Sequence, residues 1–191
     1  MSEIAATTVE KKTLGFWIYL MTDVVLFATL FATYAVLRDA TAGGPTSNEL
    51  FDMPFVLAET LILLVSSFTV GLGVLFATRG YHKLALLNLI VTFGLGVAFL
   101  AMELTEFAHF AGEGADWTRS AFLSIFFTLV ATHGLHITIG LIWLGVMIVR
   151  LWKFKFTPHD VARVGLLGLF WHFLDVIWIF IFTFVYLMGV M

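Results

Sequence analysis

The run FWHFLDVIWIFIFTFVYL, Phe170 to Leu187, decides the fold class of this chain. It is nearly all apolar and aromatic, and it contains no glycine or proline. An uncharged apolar stretch of about 18 residues or more is a candidate membrane-spanning helix. A barrel strand would instead alternate apolar and polar residues over about 10 positions, and this run does not. Two residues break the pattern, His172 and Asp175. Three positions apart on a helix, they share one face. A segment suited to hydrocarbon therefore carries an imidazole and a carboxyl near its middle.

The rest of the chain has the same character. Of its 191 residues 61% are hydrophobic and only 12% are charged, with a mean hydropathy of +1.02. A soluble domain carries about 25% charged residues, so this composition belongs to an integral membrane protein. There are no cysteines, which excludes disulfides and thiolate metal sites. A net charge of −3 gives no indication of nucleic-acid binding. The opening MSEIAATTVEKK is polar, so no cleavable signal peptide is expected before the first span.

Five apolar runs follow: Leu14–Leu37, Phe55–Thr78, Leu84–Phe107, Ala121–Val149 and Val161–Val190. Each exceeds the ~20 residues a helix needs to cross a hydrocarbon core of ~30 Å. The connections RDATAGGPTSNELFDMP, RGYHK, AGEGADWTRS and RLWKFKFTPHD hold the turn formers and all three prolines. The expected architecture is an all-α, polytopic bundle of five transmembrane helices over residues 14–191, preceded by a cytoplasmic tail at 1–13. Basic residues set the direction. Lys11, Lys12, Arg79, Lys83, Arg150, Lys153, Lys155 and Arg163 fall on one side, and only Arg38 and Arg119 on the other. That bias predicts a cytoplasmic N-terminus and a periplasmic C-terminus. Trp17, Trp117 and Trp152 lie near span ends, as interfacial aromatic residues do.

The spans also contain groups that a bilayer disfavours by about 2.5–3.5 kcal/mol each when charged at a helix centre. A midplane set comprises His133 and His136 in THGLH, with His172 and Asp175 in WHFLD. Gly134 and Gly140 would let a neighbouring helix come close. Two readings stand. The imidazoles and the carboxyl could hydrogen-bond across the fourth and fifth helices, hidden from lipid, or they could form a heme, metal or proton-relay site. A di-iron bundle needs Glu-x-x-His on each of two helices, and this chain has it once, at Glu106–His109, while bis-histidine heme ligation needs only two histidines on separate helices. An outer set comprises Glu59, Glu103 and Glu106. Adjacent like charges oppose joint ionisation, so at least one of these is expected to be protonated or matched by a cation. They could reach interfacial water or contact another subunit or a lipid head group. Asp23, in LMTDVVLF, stands alone apart from Tyr19, Thr22 and Thr29, and an isolated intramembrane carboxyl is a functional candidate. No phosphate loop or dinucleotide turn occurs, and no span is broken by proline as in many transporters.

The strings ATHGLHITIGLIW and LFWHFLDVIWIFIFTFVYLMG resemble the last two helices of subunit III of the heme–copper respiratory oxidases. That family has a His-Gly-x-His-x-x-x-Gly run followed by Trp-His-Phe-x-Asp-x-x-Trp. The stretches GFWIYLMTDVVLFATLFATYAVL, ETLILLVSS and FLAMELTEFAHF are similar to its earlier helices, so the resemblance extends from about Leu14 to Met191. Seven-helix members have two further N-terminal spans, and this chain starts at the third. Together with ATAGGPT after the first span, that points to the bo-type ubiquinol-oxidising branch. The resemblance implies an accessory, non-redox subunit of a proton-pumping complex in the bacterial inner membrane. It assigns this chain no catalytic, metal or cofactor-binding residue, and it places heme and copper in subunit I. The implied partners are subunit I, chiefly, then subunits II and IV, and phospholipid held in a cleft, with ubiquinol handled by the complex. It also implies support of proton uptake into subunit I. A carbodiimide-reactive family glutamate aligns with Asp23, one methylene shorter here, and a Gln-x-x-Glu pattern aligns with Glu103 and Glu106, so an acid replaces the glutamine. His133, His136, His172 and Asp175 match family positions that join helices. Two rivals remain beside this reading: an autonomous heme or metal-binding membrane protein, and an ion-coupled transporter using Asp23 and the other carboxyls.

Overall fold

In hydrocarbon a backbone amide finds no water, so each apolar run must close its own hydrogen bonds, and a helix does this. The computed structural model describes residues 2–44, 46–112, 114, 115, 117–154 and 156–190, with backbone alone for 2–10, 48 and 49. Helix α1 is Ser2–Leu37, the short α2 is Ser47–Leu50, α3 is Met53–Thr78, α4 is His82–Gly112 and α5 is Ala121–Lys153. The last span runs from α6 (Pro158–Ile181) through a π-helical turn, Phe182–Leu187, into α7 (Met188–Val190). Among the described residues there is no strand. Five segments are long and apolar enough to cross a membrane: Lys11–Leu37, Met53–Thr78, His82–Gly112, Ala121–Lys153 and Pro158–Val190.

The helices outrun the apolar sequence, most of all at the start, where α1 already begins at Ser2. Hydropathy marks where hydrocarbon would lie, whereas a helix stops only where a cap or turn takes over its free amides and carbonyls. Those stops are visible. Gly80, at φ +80°, ends α3 in a left-handed turn. There Tyr81 N–H bonds Phe76 O at 2.9 Å and Gly80 N–H bonds Ala77 O at 3.2 Å, a Schellman closure. Ser120 Oγ accepts Leu123 N–H at 3.1 Å to open α5. Thr157 and Asp160 form a reciprocal capping box at the start of α6. Arg150, in the last turn of α5, pairs with the same Asp160 carboxylate, so one acid ties two helix ends together. Pro54 and Pro158 occupy first helical turns, where no intrahelical amide partner is lost.

Helices α3 and α4 form an antiparallel hairpin about Gly80, α6 packs on α3 and α5, and α4 also packs on α5. Helix α1 lies at the edge against α5 and α6, and it buries the smallest share of its span while α5 buries the largest. Lipid is as apolar as leucine, so close van der Waals fit rather than water exclusion holds such helices together. Trp171 illustrates that fit. Its ring lies between Gly96 and Gly140, where added Cβ atoms would come within 2.8 Å and 3.1 Å of it. Its Nε1–H donates to Ser66 Oγ at 2.9 Å. Trp178 likewise donates to Thr60 Oγ1 at 3.0 Å. Trp17, Trp117 and Trp152 are all exposed.

Candidate functional site

The polar groups inside the bundle divide into three places and one isolated ring. The first joins α1 to α5. Asp23 is not alone: its Oδ1 lies 3.6 Å from His136 Nε2, beyond hydrogen-bond length and within ion-pair range. His136 is oriented from its other side, because Nδ1–H donates to the Thr132 carbonyl at 2.7 Å. Phe27, one turn after Asp23, packs its ring 5.3 Å from the imidazole. Both polar residues are buried.

The second joins α6 to α3. Ser67 Oγ lies 2.7 Å from His172 Nδ1 and also beside Asp175. Asp175 is buried, and its Oδ1 has no hydrogen-bond partner. His172, by contrast, is exposed on the surface of the isolated chain. The expected cross-link between the fourth and fifth helices through His133, His136, His172 and Asp175 is absent among the described residues. His136 meets Asp23 on the first span, and His172 and Asp175 meet Ser67 on the second. The reason is rotational: the α5–α6 contact is filled by Trp171 and Phe170 against Gly140, which turns His136, His172 and Asp175 toward other neighbours.

The isolated ring is His133. It is fully buried with both ring nitrogens lacking partners. Phe27, Phe99 and Trp178 surround it with ring centroids 6.4, 5.9 and 5.3 Å away.

The third place gathers the outer acids. Glu59 on α3 and Glu103 and Glu106 on α4 are about equally far from the Gly80 turn, so the hairpin brings them to one level. All three are largely buried: relative exposure is 0% for Glu59, 2% for Glu103 and 6% for Glu106. Helix α5 closes over Glu103 at Gly134, where a Cβ would come within 2.7 Å of Oε1. Gly140, by contrast, admits the Trp171 and Phe170 rings. Tyr186 O–H donates to Glu106 Oε2 at 2.8 Å. A crevice of about 190 Å³ reaches Glu106 past Leu50, Asp52, Phe55 and His109. Among the described residues no group of three or more His, Asp or Glu side chains is arranged to hold a metal ion.

Sequence reasoning did not single out Tyr186, Ser67 or the Ser66 and Thr60 acceptors. The available signal was general: a buried tyrosine or tryptophan needs a partner for its polar atom. The π-helical turn that carries Tyr186 has no comparable mark in the sequence.

The model of the family described as cytochrome c oxidase subunit III matches residues 4–190. The chain belongs to the cytochrome c oxidase subunit III family. It is 55% identical to cytochrome bo(3) ubiquinol oxidase subunit 3 of Pseudomonas aeruginosa, over 92% of this chain and 84% of that protein. It is 46% identical to quinol oxidase subunit 3 of Bacillus subtilis, over 98% of this chain and 92% of that one. It is also 44% identical to cytochrome c oxidase subunit 3 of Bacillus sp. PS3, over 94% of this chain and 87% of that one. All four polar groupings lie inside the part of this subunit III chain that the family covers.

Proposed function

We propose that this chain is the accessory subunit III of a proton-pumping ubiquinol oxidase of the cytochrome bo type, in a bacterial inner membrane. The carrying observation is the match, nearly end to end, to relatives named as subunit 3 of quinol oxidases. The electrons then run through heme and copper in subunit I, and this chain stabilises the complex. Its N-terminus faces the cytoplasm and its C-terminus the periplasm, on the strength of the basic-residue bias.

Particular features support the finer parts. The exposed His172 at mid-bundle is a polar ring that lipid tails would leave unsatisfied, which favours coverage of the α3–α6 face by a partner subunit. We assign that contact chiefly to subunit I, with subunits II and IV completing the assembly. A groove of about 490 Å³ between α1 and the π-helical turn is lined by Phe31, Tyr34, Phe180 and Phe184 and includes Arg38. It suits a phospholipid, with acyl chain on the rings and phosphate on the guanidinium. Asp23, paired with His136 inside the membrane, is the group we assign to support of proton uptake by subunit I. The Glu59, Glu103 and Glu106 group is the other candidate for a proton-linked role, and His133 and Asp175 join helices.

The test is mild-detergent purification of the tagged chain from its native membranes. A heme-bearing larger subunit should accompany it, and the preparation should oxidise ubiquinol rather than reduced cytochrome c. Recovery of the chain alone, heme absorption from the chain by itself, or a preference for cytochrome c would overturn the reading.

A further inference from the structure

The end of the bundle away from the Gly80 turn buries the carboxyl groups of Glu59, Glu103 and Glu106. Both carboxyl oxygens of Glu59 and Oε2 of Glu103 are buried without hydrogen-bond partners. Nearly all buried polar atoms in folded proteins are bonded, so each exception calls for a physical account. In a bilayer the demand is stronger still. The three acids also interact with one another electrostatically, since Glu59 faces both Glu103 and Glu106, and Glu103 faces Glu106.

An independent feature points to the same place. The backbone departs from the α-helix at Phe182–Leu187, where Met188 N–H bonds Thr183 O across a π-type turn. Such turns are rare and recur at functional sites. This one carries Tyr186, fully buried, to Glu106 Oε2. The Val185 carbonyl accepts Tyr34 O–H from α1 at 3.3 Å. The last span thus changes its winding where it supplies a hydroxyl to the acids. A third feature is access: the 190 Å³ crevice opens onto Glu106, and Phe55 in its wall sits one turn before Glu59.

We propose that Glu59, Glu103 and Glu106, with Tyr186, form a shared-proton site that binds ordered water and exchanges with the aqueous phase through this crevice. Three buried carboxylates that act on one another electrostatically need positive charge. The ion pairs among the described residues engage Asp23, Asp39 and Asp160 instead. A proton supplies that charge and a donor at once: a protonated carboxyl gives O–H to a neighbour's free oxygen, a short and strong bond. Water fits beside it, because the crevice far exceeds the ~10–15 Å³ one molecule requires and offers several polar partners. In each transfer an O–H bond breaks on water or hydronium and one forms on Glu106. Passage to Glu103 and Glu59 repeats that exchange, so the site gains one positive charge per proton and nothing is oxidised or reduced. The groups that face it are Asp52 at the N-terminus of α3, His109 on α4 and Tyr186 in the π-helical turn. On α5, Gly134 lies against Glu103, while its neighbour His133 turns to Phe99 and Trp178.

The inference does not depend on the oxidase reading, because it needs only the folded chain in whatever complex it occupies. Infrared difference spectra of that purified complex, recorded across pH in H2O and D2O, test it. The expected result is a protonated-carboxyl carbonyl band that varies with pH, shifts down in D2O and loses intensity in Glu59→Gln and again in Glu103→Gln. Tyr186→Phe should move the band to higher frequency as the hydrogen bond is lost. Should Glu103→Gln fail to assemble, Glu59→Gln and the wild-type deuterium shift still decide. Spectra unchanged in both Gln variants would overturn the proposal. So would a band that never responds to D2O, which would mark a sealed structural acid. Ionised-carboxylate bands that move only on adding Ca²⁺ or Na⁺ would also overturn it, in favour of a cation site. Retained ubiquinol oxidation without the band would sink this inference alone, whereas a complex without heme would sink the oxidase reading alone.

Discussion

Gly134 is where a carboxyl and a helix backbone compete for the same space. A methyl added there meets Glu103 Oε1 at 2.7 Å, so Gly134→Ala should destabilise by about 1–3 kcal/mol, as overpacking does. Glu103→Ala should relieve the clash, making the double variant less destabilised than the sum of the singles. Thermal denaturation of the purified complex, scored by retention of this chain, measures both, and strict additivity would refute the contact. Tyr186→Phe removes the only hydroxyl donor recorded on Glu106 among the described residues and should cost about 1–3 kcal/mol. At the other polar place, Asp23→Asn keeps the side-chain shape beside His136 but removes the charge. Assembly should be intact and proton uptake by the whole enzyme slower; unchanged turnover and pumping would defeat the proton-support assignment.

At the scale of elements, fit between helices dominates. Trp171 is buried, its Nε1–H is held by Ser66, and the ring has no free direction in which to yield. Gly96→Ala should therefore cost about 1–3 kcal/mol. On the same helix Gly94 has nothing within 4 Å of an added Cβ, so Gly94→Ala should be neutral or gain about 0.5–1 kcal/mol from helix propensity. Equal behaviour of the two variants in a melting experiment would show that steric fit is not what distinguishes them. The helix count and approximate limits were legible beforehand, because runs such as Phe55–Thr78 are too long and apolar for any other spanning element. The extension of α1 to Ser2 and the π-helical turn at Phe182–Leu187 were not, since hydropathy carries no information about winding or caps.

For the whole molecule, orientation can be read chemically because the chain has no cysteine. Tyr81 and Trp117 are exposed at opposite ends of α4. A single cysteine introduced as Trp117→Cys should react with an impermeant maleimide on the outer face of the membrane. Tyr81→Cys should react only once the cytoplasmic face is opened. The reverse pattern would invert the proposed topology.

What the sequence determined by itself is the environment: five stretches long and apolar enough to cross a membrane, and the motifs that mark the family. These are properties of short segments, and they survive without knowing which helix touches which. Partnership was decided only in three dimensions. Asp23 meets His136, Ser67 meets His172, and Tyr186 meets Glu106 across separations that no local pattern spans. Helix rotation selects these pairs, and rotation is set by where large rings such as Trp171 find a glycine to rest against.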